Sequence, residues 1–151
     1  MTLERSFKKI ERRLVRDEVP STTAAVSERM GRIRQRSTDP ELRVRRAATA
    51  LGLRYRTINR DLPGSPDLAN RTRRWTIFVH GCYWHHHDGC ARATTPKTNT
   101  LFWLSKFEQN RERDAGAQYE LTEMRYRVIV VWECETEDEA LLGQRLGVLR
   151  H

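Results

Sequence analysis

The sequence contains no apolar run long enough to cross a bilayer. Its longest apolar runs, such as residues 128–132, are far shorter than a membrane span. It also lacks an N-terminal apolar block followed by a cleavage site, which a secretory signal would provide. Internal repeats, low-complexity segments and a linker that would divide a core are absent too. These absences predict a cytoplasmic protein without a membrane partner, and 151 residues suffice for one buried core.

Cysteine is scarce. There are three cysteines, an odd number, and two of them lie inside a histidine-rich segment. A disulfide framework would use an even number of cysteines in an oxidising compartment. The cysteines therefore favour metal ligation in a reducing compartment.

Acidic residues are outnumbered by basic ones, because 28 Lys and Arg stand against 20 Asp and Glu, which gives a net charge of +8. A charge of this sign favours phosphate-rich partners. It is equally compatible with a basic protein that has no such partner. The choice between these two interpretations depends on individual residues.

Residues 1–20 are predicted to form a basic amphipathic extension. Leu3, Phe7, Ile10 and Leu14 recur at helical spacing among many basic residues, and Pro20 ends the pattern. Such a helix could lie on DNA or simply pack against the protein. The main domain is predicted to span residues 21–151.

A first helix and three strands are predicted in the following half of the chain. Thr38 and Glu41 have the spacing of a capping box ahead of a helix over about residues 39–51. Alternation over residues 53–57 predicts a strand, and turn residues then lead to a second strand beginning at Asp67. Residues 71–74 form a polar turn before a third, buried strand at residues 75–79. The second and third of these strands could pair as a hairpin.

A long helix, a central strand and a last helix complete the predicted order αβββαβα. The long helix carries Asp114 on the same stripe as Phe107, so this acid should be paired, protonated or near a metal. Residues 127–132 form the strand, and the segment from Thr136 to Glu139 is predicted to cap the final helix. The fold class is α/β, with a central mixed sheet flanked by helices.

A dense cluster of metal-binding residue types occupies positions 80–90 and is joined by one distant cysteine. Cys82, His87, Cys90 and Cys134 form a closed set for a structural zinc ion, which leaves His85 free for chemistry. Metal binding and folding should then be coupled. The alternatives are three inert core cysteines, or a zinc deaminase, whose characteristic Cys and Glu elements are absent here.

Four blocks, taken together, resemble the very short patch repair (Vsr) endonucleases, which are relatives of the restriction endonucleases. The blocks are LPGSPD at residues 62–67, FVHGCYWHHH at 78–87, FWL at 102–104 with NRERD at 110–114, and VWEC at 131–134. The likeness runs from about Ser21 to Glu135. It implies a restriction-endonuclease-like core around the predicted mixed sheet.

The resemblance also implies a magnesium-dependent active site. Asp67 and the main-chain carbonyl of Val79 would bind catalytic Mg²⁺, since hard cations favour oxygen ligands. His85 would match the family's general base for water, supported by His80. The two remaining carboxylates, which would hold the outer waters of the metal, are Glu41 and Asp114. Glu41 could instead serve only as a helix cap, and Asp67 only as a turn residue.

Aromatic residues at three positions match those with which the family pries apart the base stack: Tyr83, Trp84 and Trp103. Trp103 lies between Leu101 and Leu104 on the predicted helix, so ordinary core packing is its alternative role. The sequence departs from the wider superfamily on the third predicted strand. Val79 and Gly81 stand where nuclease cores usually carry an acid and a lysine.

The function implied by the resemblance is a nick in duplex DNA on the 5′ side of the thymine of a T:G mismatch, after deamination of 5-methylcytosine. Mismatch-repair proteins and a repair polymerase are implied as partners, in a bacterial, nucleoid-associated protein. A monomer is expected, because cutting one strand needs one active site. Two alternatives remain: a restriction-type nuclease acting on matched DNA, and a zinc-stabilised DNA-binding module without catalytic activity.

Overall fold

The computed structural model describes residues 37–151. The predicted extension over residues 1–20, and the start of the predicted domain at residue 21, lie outside this range. By its contacts the described chain divides into two compact units. One unit contains Thr95–Glu108 and the other contains residues 37–94 together with Gln109–His151. Within residues 37–151, no helix combines the length and the apolar character needed to cross a membrane.

Helix α1 spans Asp39–Ala50 and confirms the first predicted helix. Thr38 caps it by accepting a hydrogen bond from the Glu41 amide (3.5 Å). The carboxylate of Glu41 accepts the amide N–H of Ser37 (2.7 Å), one residue before the position expected of a capping box. Glu41 therefore contributes to the cap and is almost fully buried.

Three strands form one mixed sheet in the order β1-β2-β3, and their bounds are Leu68–Asn70, Trp75–His80 and Arg127–Trp132. Strands β1 and β2 are antiparallel and form the predicted hairpin. Strands β2 and β3 are parallel and in register from Trp75 opposite Arg127 to His80 opposite Trp132. Helix α2, Thr100–Glu123, lies between β2 and β3 in the chain. The carboxyl ends of β2 and β3 consequently meet at one edge of the sheet.

The strand predicted over residues 53–57 was wrong. Only Arg56 pairs in that segment, as a single bridge opposite Ala69. The Asn59 side chain donates to the carbonyls of Arg56 (2.9 Å) and Pro66 (3.1 Å). These two bonds turn the chain immediately after the bridge, so the observed order is αββαβα rather than αβββαβα.

The cap predicted for the last helix was also wrong. Helix α3 spans Glu139–Gly147, and its cap is Asp138, whose side chain accepts the Leu141 amide N–H (3.0 Å). Thr136 lies in the preceding 3-10 turn, Glu133–Glu137, where its hydroxyl donates to the Glu133 carbonyl (2.7 Å). The Thr-x-x-Glu spacing misled because a second, better-placed acceptor lies between its two ends.

Apolar residues cover both faces of the sheet. The larger cluster joins the sheet to α1, α3 and the last 3-10 turn, and consists of Val44, Ala48, Leu53, Leu68, Trp75, Ile77, Val131, Leu142, Leu146 and Leu149. The smaller cluster on the opposite face contains Leu62, Ala69, Phe78 and Leu121. Alternation along β1 and β2 sends successive side chains to the two clusters. The strands that lead into the candidate site are thus anchored on both sides.

Gly64 is required where the loop before β1 passes helix α2. Its φ is +71°, and a Cβ built on it would lie 2.6 Å from the Ala117 Cβ and 3.1 Å from the Phe78 ring. Any larger residue would therefore push the loop away from the helix. This close approach places Asp67, three residues later, at the start of β1.

Candidate active site and metal centre

Asp67 extends the sheet by one side-chain hydrogen bond. Its Oδ2 accepts the amide N–H of Val79 on β2 (2.7 Å), beyond the point where β1 begins to pair. The N–H and C=O groups of one strand residue lie on the same side. The Val79 carbonyl therefore lies on the side of β2 that carries the Asp67 carboxylate, as a shared metal site would need.

The surroundings of Asp67 disfavour its negative charge in the absence of a cation. Burial raises its pKa to about 6, and repulsion from the Glu41 carboxylate adds to this rise. The Val79 N–H and the interactions with Arg45 and His85 act in the opposite direction on the pKa. The Glu41 carboxylate and the His85 imidazole thus both lie near enough to Asp67 to act on its pKa, and a bound cation would stabilise the charged carboxylates.

Glu41 has two kinds of contact. Its carboxylate accepts the Ser37 amide N–H and lies 3.5 Å from the Arg45 guanidinium, so it both caps α1 and forms an ion pair. Its charge also acts on Asp67. The geometry is therefore compatible with both the capping role and the role in holding water near a metal.

His85 is held by Asp114 and stacked on His80. The Nδ1 atom of His85 forms a short hydrogen bond with Asp114 Oδ2, which satisfies the expectation that this acid is paired. The His80 and His85 rings are parallel within 3°, with centroids 3.9 Å apart. Burial, reinforced by the charge of His85, lowers the pKa of His80 to about 4. His80 is consequently neutral near pH 7.

Two consecutive residues of α2 form hydrogen bonds with the loop on either side of His85. Asn110 donates to the Trp84 carbonyl (2.9 Å), and Arg111 donates to the carbonyl of His86 (2.6 Å) and to Asp88 (2.6 Å). His86 has a φ of +47°, an uncommon conformation that these contacts hold. Sequence reasoning missed both roles, because a backbone carbonyl acceptor leaves no residue pattern.

Cys82, His87, Cys90 and Cys134 come together as predicted, with ligand atoms that all lie within 4.8 Å of one another. The Nδ1 of His87 lies 3.7 Å from Cys82 Sγ and 3.5 Å from Cys134 Sγ. Tetrahedral zinc with ordinary bond lengths would separate such N and S atoms by about 3.6 Å. The donor set and its spacing therefore fit a structural zinc ion.

The thiol environments differ within this cluster. Burial raises the pKa of Cys82 to about 12, whereas the Arg92 backbone N–H lowers the pKa of Cys90. The Cys134 amide also donates to Cys82 Sγ (3.4 Å), and Glu133 accepts the Cys82 amide N–H (3.2 Å). These backbone bonds fix the sulfur positions from the second layer of contacts.

Trp132, at the end of β3, links the two clusters. Its ring is parallel to His87 within 7°, with centroids 4.1 Å apart. It also meets the rings of His80 and His85 edge to face, with centroids 5.3 and 6.5 Å away. The sequence placed Trp132 in a recognised block but assigned it no role. The sequence signal that could have indicated this role is a bulky aromatic residue two positions before the proposed metal ligand Cys134.

His80, His85 and Asp114 also have ligand atoms within 4.8 Å of one another. Two parallel, stacked imidazoles cannot both direct an in-plane lone pair at one ion without rotating. The hydrogen bond between His85 and Asp114 likewise occupies the nitrogen concerned. This trio is better suited to proton transfer than to metal binding.

The three aromatic residues predicted to contact DNA differ in exposure. Tyr83 and Trp84 are partly exposed on the loop after β2, and their rings meet edge to face at 5.2 Å. Trp103, in the unit Thr95–Glu108, is only 6% exposed and lies beside Phe102 (5.3 Å) and Phe107 (6.1 Å). The loop rings are therefore accessible, and Trp103 has the surroundings of a core residue.

Comparison with known proteins matches this chain to one family. The sequence profile described as DNA mismatch endonuclease Vsr matches residues 20–92. The type II nicking enzyme V.XorIIP of Xanthomonas oryzae is 42% identical over 117 residues, 78% of this chain and 85% of that protein. The DNA mismatch endonuclease Vsr of Escherichia coli is 41% identical, over 78% and 79% of the two chains. The type II nicking enzyme V.NmeAIP of Neisseria meningitidis is 39% identical, over 85% and 91%.

Proposed function

Because the chain belongs to the Vsr family of DNA mismatch endonucleases and is a DNA endonuclease, we propose that it nicks duplex DNA 5′ to the thymine of a T:G mismatch. This reaction would initiate very short patch repair of deaminated 5-methylcytosine. The observation that carries the proposal is the hydrogen-bonded pair of His85 and Asp114, together with the buried Asp67 carboxylate, on whose pKa His85 acts. A binding module would need neither a buried carboxylate nor an oriented imidazole.

The active centre is proposed to hold Mg²⁺ between the Asp67 carboxylate and the Val79 carbonyl, with Glu41 and Asp114 near its bound waters. A hard divalent ion in that place would offset the charge that develops on the scissile phosphate. Without a cation, the pKa of Asp67 is raised to about 6. A bound cation would favour the ionised carboxylate and would therefore lower this pKa. The common side occupied by its carboxylate and the Val79 carbonyl supports this shared shell.

His85 is the proposed general base. Asp114 engages Nδ1, so Nε2 can take a proton from the attacking water and Asp114 can stabilise the imidazolium that forms. The oxygen of that water forms the new bond to phosphorus as the bond from phosphorus to the 3′ oxygen breaks. The products are a 5′-phosphate and a 3′-hydroxyl. His80, neutral and stacked beneath His85, would hold the ring without competing for the proton.

The proposed zinc ligands are Cys82, His87, Cys90 and Cys134. When bound, the ion would tie the end of β3 to the loop that follows β2 and would take no part in the chemistry. That loop carries His85, so the four ligands would set the position of the base. The tetrahedral spacing of the donors supports this assignment.

Tyr83 and Trp84 are proposed to enter the base stack at the mismatch, because their rings are partly exposed on the loop beside the active centre. Trp103 is proposed to assist them. Since its ring is 6% exposed, contact with bases would require a rearrangement that uncovers it. The mixed sheet with Asp67 and Val79 at its edge is proposed to be a restriction-endonuclease-like core.

A single active centre is enough to cut one strand, so the protein is proposed to act as a monomer. The free 3′-hydroxyl is the group that a repair polymerase extends, which makes a polymerase and mismatch-repair proteins its proposed partners. A second candidate function is cleavage of matched DNA. Its basis is that two relatives are named type II nicking enzymes, a name that mentions no mismatch.

In the decisive experiment, the protein is incubated with Mg²⁺ and end-labelled DNA duplexes. The duplexes are either fully matched or contain one T:G pair in varied sequence contexts. A nick confined to the thymine strand supports the proposal. Cutting of the matched duplex would favour the second candidate, and binding without cutting would favour the module. Asp67→Asn and His85→Ala should abolish nicking while binding survives. Asp61→Asn, an exposed acid on the same loop, is the matched control.

A further inference from the structure

A basic cavity lies at the end of the sheet opposite the active centre. It measures about 350 Å³, and its polar wall comes from Arg54, Asn70, Arg73, Trp75 and Arg150. Trp75 begins β2 and His80 ends it, so five residue steps along the strand, about 17 Å, separate the cavity from the proposed catalytic histidines. No acidic side chain among the described residues lines this cavity.

A hydrogen-bond network holds the backbone around the cavity. Asn70 donates to the Arg54 carbonyl (2.8 Å) and accepts the Arg73 amide N–H (2.9 Å). The Arg73 guanidinium donates in turn to the Arg150 carbonyl (3.0 Å). The β-hairpin turn, the segment after α1 and the last 3-10 turn are thereby held around one opening.

A purely structural role explains only part of this arrangement. Arg73 and Arg127 donate to backbone carbonyls near the last helical turn, where cations are favourable. Arg54 and Arg150 contribute only their carbonyls to the network. Their guanidinium groups make no hydrogen bond or ion pair with residues 37–151, so these two charges are not balanced there.

Trp75 adds an unsatisfied donor. Its ring is completely buried beside the cavity, and its indole N–H, which solvent does not reach, has no hydrogen-bond acceptor in the described part of the chain. A buried donor without a partner is costly and calls for an explanation. The three exposed arginines that line the cavity, without a carboxylate among the lining residues, suit a tetrahedral oxyanion.

We propose that Arg54, Arg73 and Arg150 form a second phosphate-binding site, remote from the scissile position. Its ligand is a phosphate group, which either a free phosphate or the backbone of a nucleic acid could supply. The site does not depend on the proposed mismatch specificity, since no catalytic group takes part in it.

The test first titrates inorganic phosphate into the zinc-loaded protein, in phosphate- and sulfate-free buffer, by calorimetry. Wild type should bind with a dissociation constant on the order of 1 mM or tighter. Arg54→Gln and Arg150→Gln should each weaken binding by about tenfold. Both carbonyls in the network remain in these variants, and unchanged thermal melting would verify the fold. Arg60→Gln removes the same charge from an exposed residue outside the cavity and should bind like wild type.

A second arm identifies the source of the phosphate with a matched duplex in the absence of Mg²⁺. If a DNA backbone occupies the site, both cavity variants, but not Arg60→Gln, should lower the salt dependence of duplex binding by about one ion. Unchanged duplex binding alongside lost phosphate binding would identify a free phosphate as the ligand. The proposal is overturned if wild type binds no phosphate, or if Arg60→Gln weakens binding as much as the cavity variants. Neither arm measures cleavage, so its outcome is separate from that of the nicking assay.

Discussion

The rings of His87 and Trp132 lie parallel, with centroids 4.1 Å apart, and the same indole meets the His80 ring edge to face, with centroids 5.3 Å apart. One side chain therefore contacts both a proposed zinc ligand and the histidine stacked under the proposed base. Contacts outside the ligand set are known to orient metal-bound imidazoles. The proposed structural metal and the catalytic pair are joined through this ring.

Replacing Trp132 by Ala should weaken zinc retention by about ten- to a hundredfold and slow nicking, because His87 and His80 both lose a packing partner. Trp132→Phe should restore most of both properties, since a phenyl ring can stack on His87. Zinc release to a chelator and single-turnover nicking are the measurements. An alanine variant with normal zinc retention and normal nicking would show that the ring does not couple the two sites.

Replacing Cys134 by Ser should remove the zinc ion, because a hydroxyl is a poor ligand for this metal beside two thiolates and an imidazole. Native mass spectrometry should find one ion in wild type and none in the variant. The melting temperature should fall as well, since metal binding and folding are coupled. A wild-type protein that is folded and free of metal would contradict the assignment of all four ligands.

Replacing Asp114 by Asn should lower the rate of nicking by about a hundredfold or more, because His85 loses the carboxylate that orients Nδ1 and stabilises its charged form. Affinity for duplex DNA should stay close to that of wild type. Glu112→Gln, on the exposed side of the same helix, is the control and should leave the rate unchanged. Equal rates for the two variants would remove Asp114 from the mechanism.

Replacing Asp67 by Asn should stabilise the protein in magnesium-free buffer at pH 8, by about 1–2 kcal/mol after allowance for solvent screening. The pKa of Asp67 is raised to about 6 from its ordinary 3.8, so the folded wild type carries an unfavourable charge above pH 6. Wild type regains this stability as the pH falls through 6 and the carboxyl protonates. The difference in melting temperature between variant and wild type should shrink from pH 8 to pH 5.5.

Taking that difference cancels other titrating groups common to the two proteins. His80 is one of them: its pKa is lowered to about 4 from 6.5, so its contribution to stability falls as the pH drops below 6.5. A difference that stays constant over this range would refute the electrostatic description of Asp67. The variant should also be inactive at every pH.

Replacing Gly64 by Ala should destabilise the protein by about 1–3 kcal/mol and reduce nicking, because the new Cβ would meet the Ala117 Cβ at 2.6 Å and φ is positive. Gly116→Ala is the matched control. A Cβ there meets nothing within 4 Å and lies inside helix α2, so this variant should be more stable by about 0.5–1 kcal/mol. Equal melting temperatures for the two variants would contradict the close approach of loop and helix.

Ligands and elements with a strong residue signature could be predicted from the sequence. Cysteine and histidine are chemically distinctive, so the four proposed zinc ligands could be picked out as a set, and their ligand atoms lie within 4.8 Å of one another. The apolar run of β3 and the capped start of α1 were equally clear. Asp114 was predictable as a paired acid from its place on an apolar helix stripe, although its partner was not.

Features that depend on backbone groups could not be predicted in the same way. The strand expected over residues 53–57 shortened to one bridge because Asn59 binds two carbonyls, and any residue can supply a carbonyl. Arg111 is a comparable case, since its acceptor is the carbonyl of His86. Asp138, and not Thr136, caps α3. Both side chains can accept a hydrogen bond near the start of the helix, and only the three-dimensional geometry decides which of them does so.

The parallel pairing of His80 with Trp132 has a consequence for how this protein reaches its native state. A slip of one position between β2 and β3 would displace Cys134 by about 3.3 Å and turn its neighbours to the wrong face. Four donors could then no longer surround one ion. Zinc binding would thus favour the native alignment of β2 and β3 during folding, because a chain with misaligned strands could not hold the ion.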